Sequence, residues 1–105
     1  MMEGKIFIDV YEIGNVDFKI IDENMGVIGG DFLSIHNYDK FKSKVQNFTE
    51  KNGNANSADF NFEILIKNIE LNPIGGITLL DSKEFDEMYL DAAGLDLREL
   101  EKITD

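Results

Sequence analysis

The run Phe60-Asn61-Phe62-Glu63-Ile64-Leu65-Ile66-Lys67 constrains this chain most. Phe60, Phe62, Ile64 and Ile66 share one parity, and Asn61, Glu63 and Lys67 share the other, with Leu65 the one apolar exception. Successive side chains on a strand point to opposite faces, so this alternation predicts a strand with one face in a core and the other open. Such a face must be covered by another layer, which makes a sheet-containing globular domain the starting point.

The segment that follows is punctuated by Asn72-Pro73 and Gly75-Gly76. Proline has no donor and glycine permits positive φ, so a turn is expected there. Ile77 to Leu80 is long enough for a short strand. Asp81 and Glu84 have capping-box spacing, and Phe85, Met88, Tyr89 and Ala92 recur at helical intervals. Together they predict a helix opening at Asp81 and ended by Gly94. Asp96 and Glu99 repeat the capping spacing before a short last helix with Leu97, Leu100 and Ile103 apolar.

Earlier in the chain, Lys5–Ile13 and Val16–Asp22 read as two strands joined at Gly14-Asn15. Glu23 to Gly26 is a second turn, and Val27–Ile35 is a third strand interrupted by Gly29-Gly30. Paired glycines inside a strand indicate a bulge, a bend or close approach of another group. Asn37 can cap a helix over Tyr38–Lys51, with Tyr38, Phe41, Val45 and Phe48 as its apolar stripe and Asn52-Gly53 as its stop. That helix is locally basic, through Lys40, Lys42, Lys44 and Lys51. The strand–strand–helix pattern recurs weakly at an offset of 46 residues, Ile28-Gly29-Gly30 matching Ile74-Gly75-Gly76. A duplicated ββα unit and a chance likeness of two hairpins both account for it.

The expected fold class is therefore α+β, one domain over residues 1–105. An antiparallel or mixed sheet of about five strands would be packed on one face by two helices plus a short C-terminal helix, in the order β-β-β-α-β-β-α-α. The expected core is Ile6, Ile8, Val10, Phe18, Ile20, Leu33, Phe41, Val45, Phe48, Phe62, Ile64, Ile66, Leu79, Phe85 and Tyr89.

Chemistry narrows further. There is no cysteine, so disulfides, thiolate catalysis and zinc–thiolate sites are excluded. The single histidine, His36, stands at the end of the third strand with no serine in a nucleophile-elbow context, and no catalytic residue is assigned. The glycine pairs lack phosphate-loop spacing, and Asp22-Glu23-Asn24-Met25-Gly26 does not fit a calcium loop; no metal and no cofactor is expected. The N-terminus lacks the pattern of a signal peptide and no stretch approaches a membrane span, so a cytoplasmic location and no membrane partner are expected.

The net charge is −11. Such a surface repels nucleic acid and attracts basic proteins. From Asp81 to Asp105 there are nine acidic and three basic residues, a local net of −6. This run is either a solvated face or a docking face, and the residues expected to carry docking are Asp81, Glu84, Asp86, Glu87 and Asp91, then Asp96 and Glu99. In size, acidity and lack of cysteine the chain resembles bacterial immunity proteins at class level, which implies a non-enzymatic inhibitor that binds a partner protein with a basic surface. Two alternatives stay open. One is a self-associating domain, monomer or homodimer, burying Phe7, Tyr11 and Leu65. The other is a small ligand-binding domain around Gly29-Gly30, His36 and Gly75-Gly76.

Overall fold

The computed structural model describes residues 2–104, with side chains to residue 102. Asp105, counted in the acidic run, and the Ile103 side chain lie outside the described residues. The fold is α+β: one antiparallel sheet of eight strands and two α-helices. The strands are β1 (Met2–Ile8), β2 (Tyr11–Asp22), β3 (Val27–Ser34), β4 (Ala55–Asn56), β5 (Phe62–Ile66), β6 (Ile69–Glu70), β7 (Gly76–Asp81) and β8 (Met88–Ala93). A 3-10 helix (His36–Lys40) leads into α1 (Lys42–Asn52), and α2 is Leu97–Thr104. The sheet order is β4-β7-β8-β3-β2-β1-β5-β6.

The sheet is curled around α1. Laid flat, β7 and β5 would stand about 24 Å apart, five strand spacings. Yet α1, only about 16 Å long, reaches both flanks. Gln46 donates to Asp81 at the end of β7. Phe48 packs edge-on against Phe60 at 5.7 Å, and Phe60 in turn meets Phe62 of β5 at 5.7 Å. The concave side is the core. Ile6 and Ile8, Val16 and Phe18, Ile28 and Phe32, Ile64 and Ile66, Leu79, Leu90 and Ala92 all point into it, with Tyr38 and Val45 supplied by the helical layer.

The alternation at Phe62, Ile64 and Ile66 is observed as expected, all three inward. The chain then turns back through Lys67 and Asn68, both at positive φ (51° and 66°), into the two-residue β6. Gly53 stops α1 in the left-handed region (φ 86°), its N–H donating to the Thr49 carbonyl.

Four expectations need correction. The sheet has eight strands rather than about five. The first hairpin turns at Asp9-Val10, and Gly14 lies within β2. A Cβ at Gly14 would stand 2.3 Å from the Leu33 carbonyl oxygen and 2.7 Å from the Phe32 ring, so that glycine serves packing. Ile13 is the extra residue of a bulge, unpaired between Ile6↔Gly14 and Phe7↔Glu12.

The helix expected from Asp81 is absent. Residues 82–87 form a loop in which Ser82 accepts the Glu84 N–H, and β8 follows. Leu90 and Ala92 point inward and Tyr89 and Asp91 outward, a period of two that pairing with β3 and β7 on both sides enforces. The helical spacing of Phe85, Met88, Tyr89 and Ala92 was coincidental, and with no helix there the ββα duplication fails. Finally, of the expected core residues, Val10 (85% exposed), Phe85 (68%), Leu33 (62%) and Ile20 (47%) are outside the core, and Tyr89 is half-buried on the convex face. Among the described residues no helix is long and apolar enough to cross a membrane.

Candidate functional site

The sequence-predicted acidic residues divide into three environments. Asp81 is buried, 2% exposed, and is removed from any surface. Its Oδ2 accepts the Tyr38 hydroxyl at 2.7 Å, its Oδ1 accepts Gln46 Nε2 at 3.3 Å, and its N–H donates to Thr49 Oγ1 at 3.4 Å. It is a structural carboxylate tying β7 to the helical layer, and no partner can reach it in the folded chain. Burial, then the bond to Asp81, drives the Tyr38 phenol far above its ordinary range.

Glu84, Asp86 and Glu87 are exposed on the β7–β8 loop, and Phe85 stands among them with 68% of its surface open. Lys83 ties the base of this loop to α1, with Nζ 3.7 Å from Glu50 and 3.5 Å from Asn47. Asp86 and Glu87 border a shallow hollow of about 400 Å³ with Asp31, Leu33 and Met88.

Asp91 projects from the convex face of β8. Burial raises its pKa, and the Tyr89 phenol beside it is raised by burial and then by Asp91 and Asp31. Asp31 pairs with Tyr89 across the β3–β8 ladder. The same face continues through Asp17 to Glu3, which lie directly opposite one another on β2 and β1. Asp31, Asp17 and Glu3 line one hollow with Asn15, Lys19 and Leu33. Like charges directly opposite on a sheet are destabilising, so this arrangement costs stability. Sequence reasoning missed Glu3, Asp17 and Asp31. Their outward parity is readable on each strand, but their adjacency needs the strand order.

Asp96 and Glu99 belong to the opposite end of β8, about 20 Å from the β7–β8 loop for six strand residues. Asp96 opens α2, its Oδ1 accepting the Arg98 N–H at 3.0 Å, and that bond holds its carboxyl below the usual range. Glu99 pairs with Lys102 at 3.4 Å. The structure thus joins Glu84, Asp86, Glu87 and Asp91 with Asp31, Asp17 and Glu3, and separates Asp96 and Glu99 from them.

The glycine-centred alternative does not form a pocket. Tyr89 lies over Gly29, where an added Cβ would meet its Oη at 2.7 Å; Gly75 packs on Ala93; and the His36 side chain is 95% exposed beside Asp39. The supposed apolar patch is also divided, since Tyr11 packs on Phe41 at 5.9 Å with the Lys40 ammonium 4.1 Å above its ring. Among the described residues no group of three or more acidic or histidine side chains is arranged to hold a metal. No family model matches this chain, and no curated protein and no solved structure matches it significantly.

Proposed function

We propose that this chain is a protein-binding module whose partner carries a basic surface, and that it acts as a stoichiometric inhibitor of the immunity-protein type. The observation that supports this reading is the exposed Phe85 ring set among Glu84, Asp86 and Glu87. Aromatic side chains, Phe among them, are enriched in interface cores, and the rim around them is polar. The carboxylates extend it along the convex face through Asp31, Asp91, Asp17 and Glu3. A net charge of −11 steers a basic partner toward such a surface, raising the association rate more than the final affinity.

Capture from a lysate of the native cells, at low and at moderate salt, tests it. One basic protein is expected to co-purify stoichiometrically. Asp86→Lys with Glu87→Lys, and separately Phe85→Ala, are expected to abolish capture, while Asp96→Lys with Glu99→Lys retains it. Capture indifferent to the loop changes overturns the assignment. The inhibitor reading is then tested on the purified pair: the partner's own activity should fall to zero at one equivalent of this chain.

A further inference from the structure

A second surface has a different chemistry. Between α1 and the loop leading into β5 lies a cleft of about 550 Å³, within the range of small-molecule sites. Its floor is aromatic: Phe60 stands edge-on to both Phe41 (6.5 Å) and Phe48 (5.7 Å), and all three rings are partly open to solvent. The helix wall carries Lys44 and Lys51, and the facing wall carries Asp9 and Asp59. These charges do not pair across the cleft. Among the described residues, the ion pairs Lys83–Glu50, Arg98–Asp96 and Lys102–Glu99 and the His36–Asp39 contact all lie outside it.

The acidic wall is fixed in place. Asp9 is held at φ 56°, a conformation that a non-glycine residue adopts at a cost, and its N–H donates to the Asn61 carbonyl at 3.0 Å. Asp59 Oδ2 accepts the Asn56 N–H at 3.0 Å and braces the loop. The cleft therefore presents cations on one wall, anions on the other and aromatic rings between them.

We propose that this cleft binds a zwitterionic amino acid with an aromatic side chain. The carboxylate would meet Lys44 and Lys51, the ammonium would meet Asp9 and Asp59, and the ring would pack edge-on against Phe60. Charge complementarity selects this class over a simple aromatic acid or amine. A net anion is repelled by the −11 field of the whole chain. A net cation would face the two lysines. A dipolar ion carries no net charge and matches both walls.

Titration of ¹⁵N-labelled protein with L-phenylalanine, phenylacetate and phenethylamine, followed by amide chemical shifts, tests the proposal. L-phenylalanine is expected to give saturable shifts at Asp9, Lys44, Asn47, Lys51 and Phe60. The two singly charged analogues should bind at least about tenfold more weakly. Lys44→Gln with Lys51→Gln, and separately Asp9→Asn, should each weaken L-phenylalanine binding about tenfold and leave the rest of the spectrum unchanged. Asparagine tolerates the left-handed backbone at position 9, so that variant keeps the turn. Absence of saturable shifts, shifts centred elsewhere, or equal binding of all three compounds overturns it.

Discussion

Tyr38 and Asp81, 43 residues apart in sequence, share a buried 2.7 Å hydrogen bond that fastens the helical layer to β7. Tyr38→Phe leaves the carboxylate without its shortest bond and is expected to cost about 1–3 kcal/mol in chemical denaturation. Asp81→Asn keeps an acceptor for the hydroxyl and should cost less. Tyr38→Phe with Asp81→Leu removes both polar groups, so the double variant should be more stable than the sum of the single losses implies.

The same phenol sets an alkaline limit. Its pKa is raised in the fold, by burial first and then by Asp81. Below the ordinary phenol value of about 10, both folded and unfolded chains keep the proton and stability is unaffected. Above it, the unfolded chain ionises and the folded chain does not, so stability falls as pH rises. Tyr38→Phe should flatten that slope in unfolding curves measured above about pH 10.

Asp91 works in the opposite sense from a salt-bridged carboxylate. Burial raises its pKa above the ordinary 3.8, so the folded chain holds the proton more tightly than the unfolded one. Stability is lost as pH climbs from that ordinary value through the raised one, and the loss persists at neutral pH. Asp91→Asn should be more stable than the parent at pH 7, by under about 1 kcal/mol because the group is partly open to water. The gain should shrink as pH is lowered toward 3.8.

The neighbouring glycines should respond unequally. A Cβ at Gly30 would stand 2.5 Å from the Asp17 carbonyl oxygen, a backbone atom of the paired strand. Gly30→Ala should cost about 1–3 kcal/mol or more, as overpacking does. At Gly29 the nearest atom is Tyr89 Oη at 2.7 Å, the end of a side chain that can swing away. Gly29→Ala should cost less than half as much in the same thermal melts.

Loop residues should be silent in stability. Phe85→Ala and the Asp86→Lys/Glu87→Lys pair alter groups exposed to solvent. Each should leave the unfolding free energy within about 0.5 kcal/mol of the parent. Circular dichroism melts of these variants would then license reading any loss of capture as a loss of contact.

Local pattern carried much of this fold and failed where partners decide. The Phe62–Ile66 strand was legible because Phe62, Ile64 and Ile66 recur at every second position, with Leu65 the one apolar residue on the other face. The left-handed stop at Gly53 and the opening of α2 at Asp96 were legible because their chemistry is local. Met88–Ala93 was not, since its apolar residues also satisfy helical spacing; two flanking strands settle it. Asp81 was misassigned for the same reason: nothing near it in sequence announces Tyr38 as a partner. The convex acidic row combines residues from β1, β2, β3 and β8, and only strand order brings them side by side.

That order has a consequence for how the chain assembles. β1, β2 and β3 are consecutive and occupy the middle of the sheet, while β5 is added to the β1 edge and β8 to the β3 edge. The hairpins of residues 2–34 join neighbours in sequence, with short loops to close. Because the cost of closing a loop grows with its length, these hairpins are expected to form ahead of the β1–β5 and β3–β8 pairings. The sheet ends at β4 on one edge and at β6 on the other, each two residues long. A second molecule's strand finds little ladder to extend at either end, so the two-residue edge strands guard the sheet against edge-to-edge association.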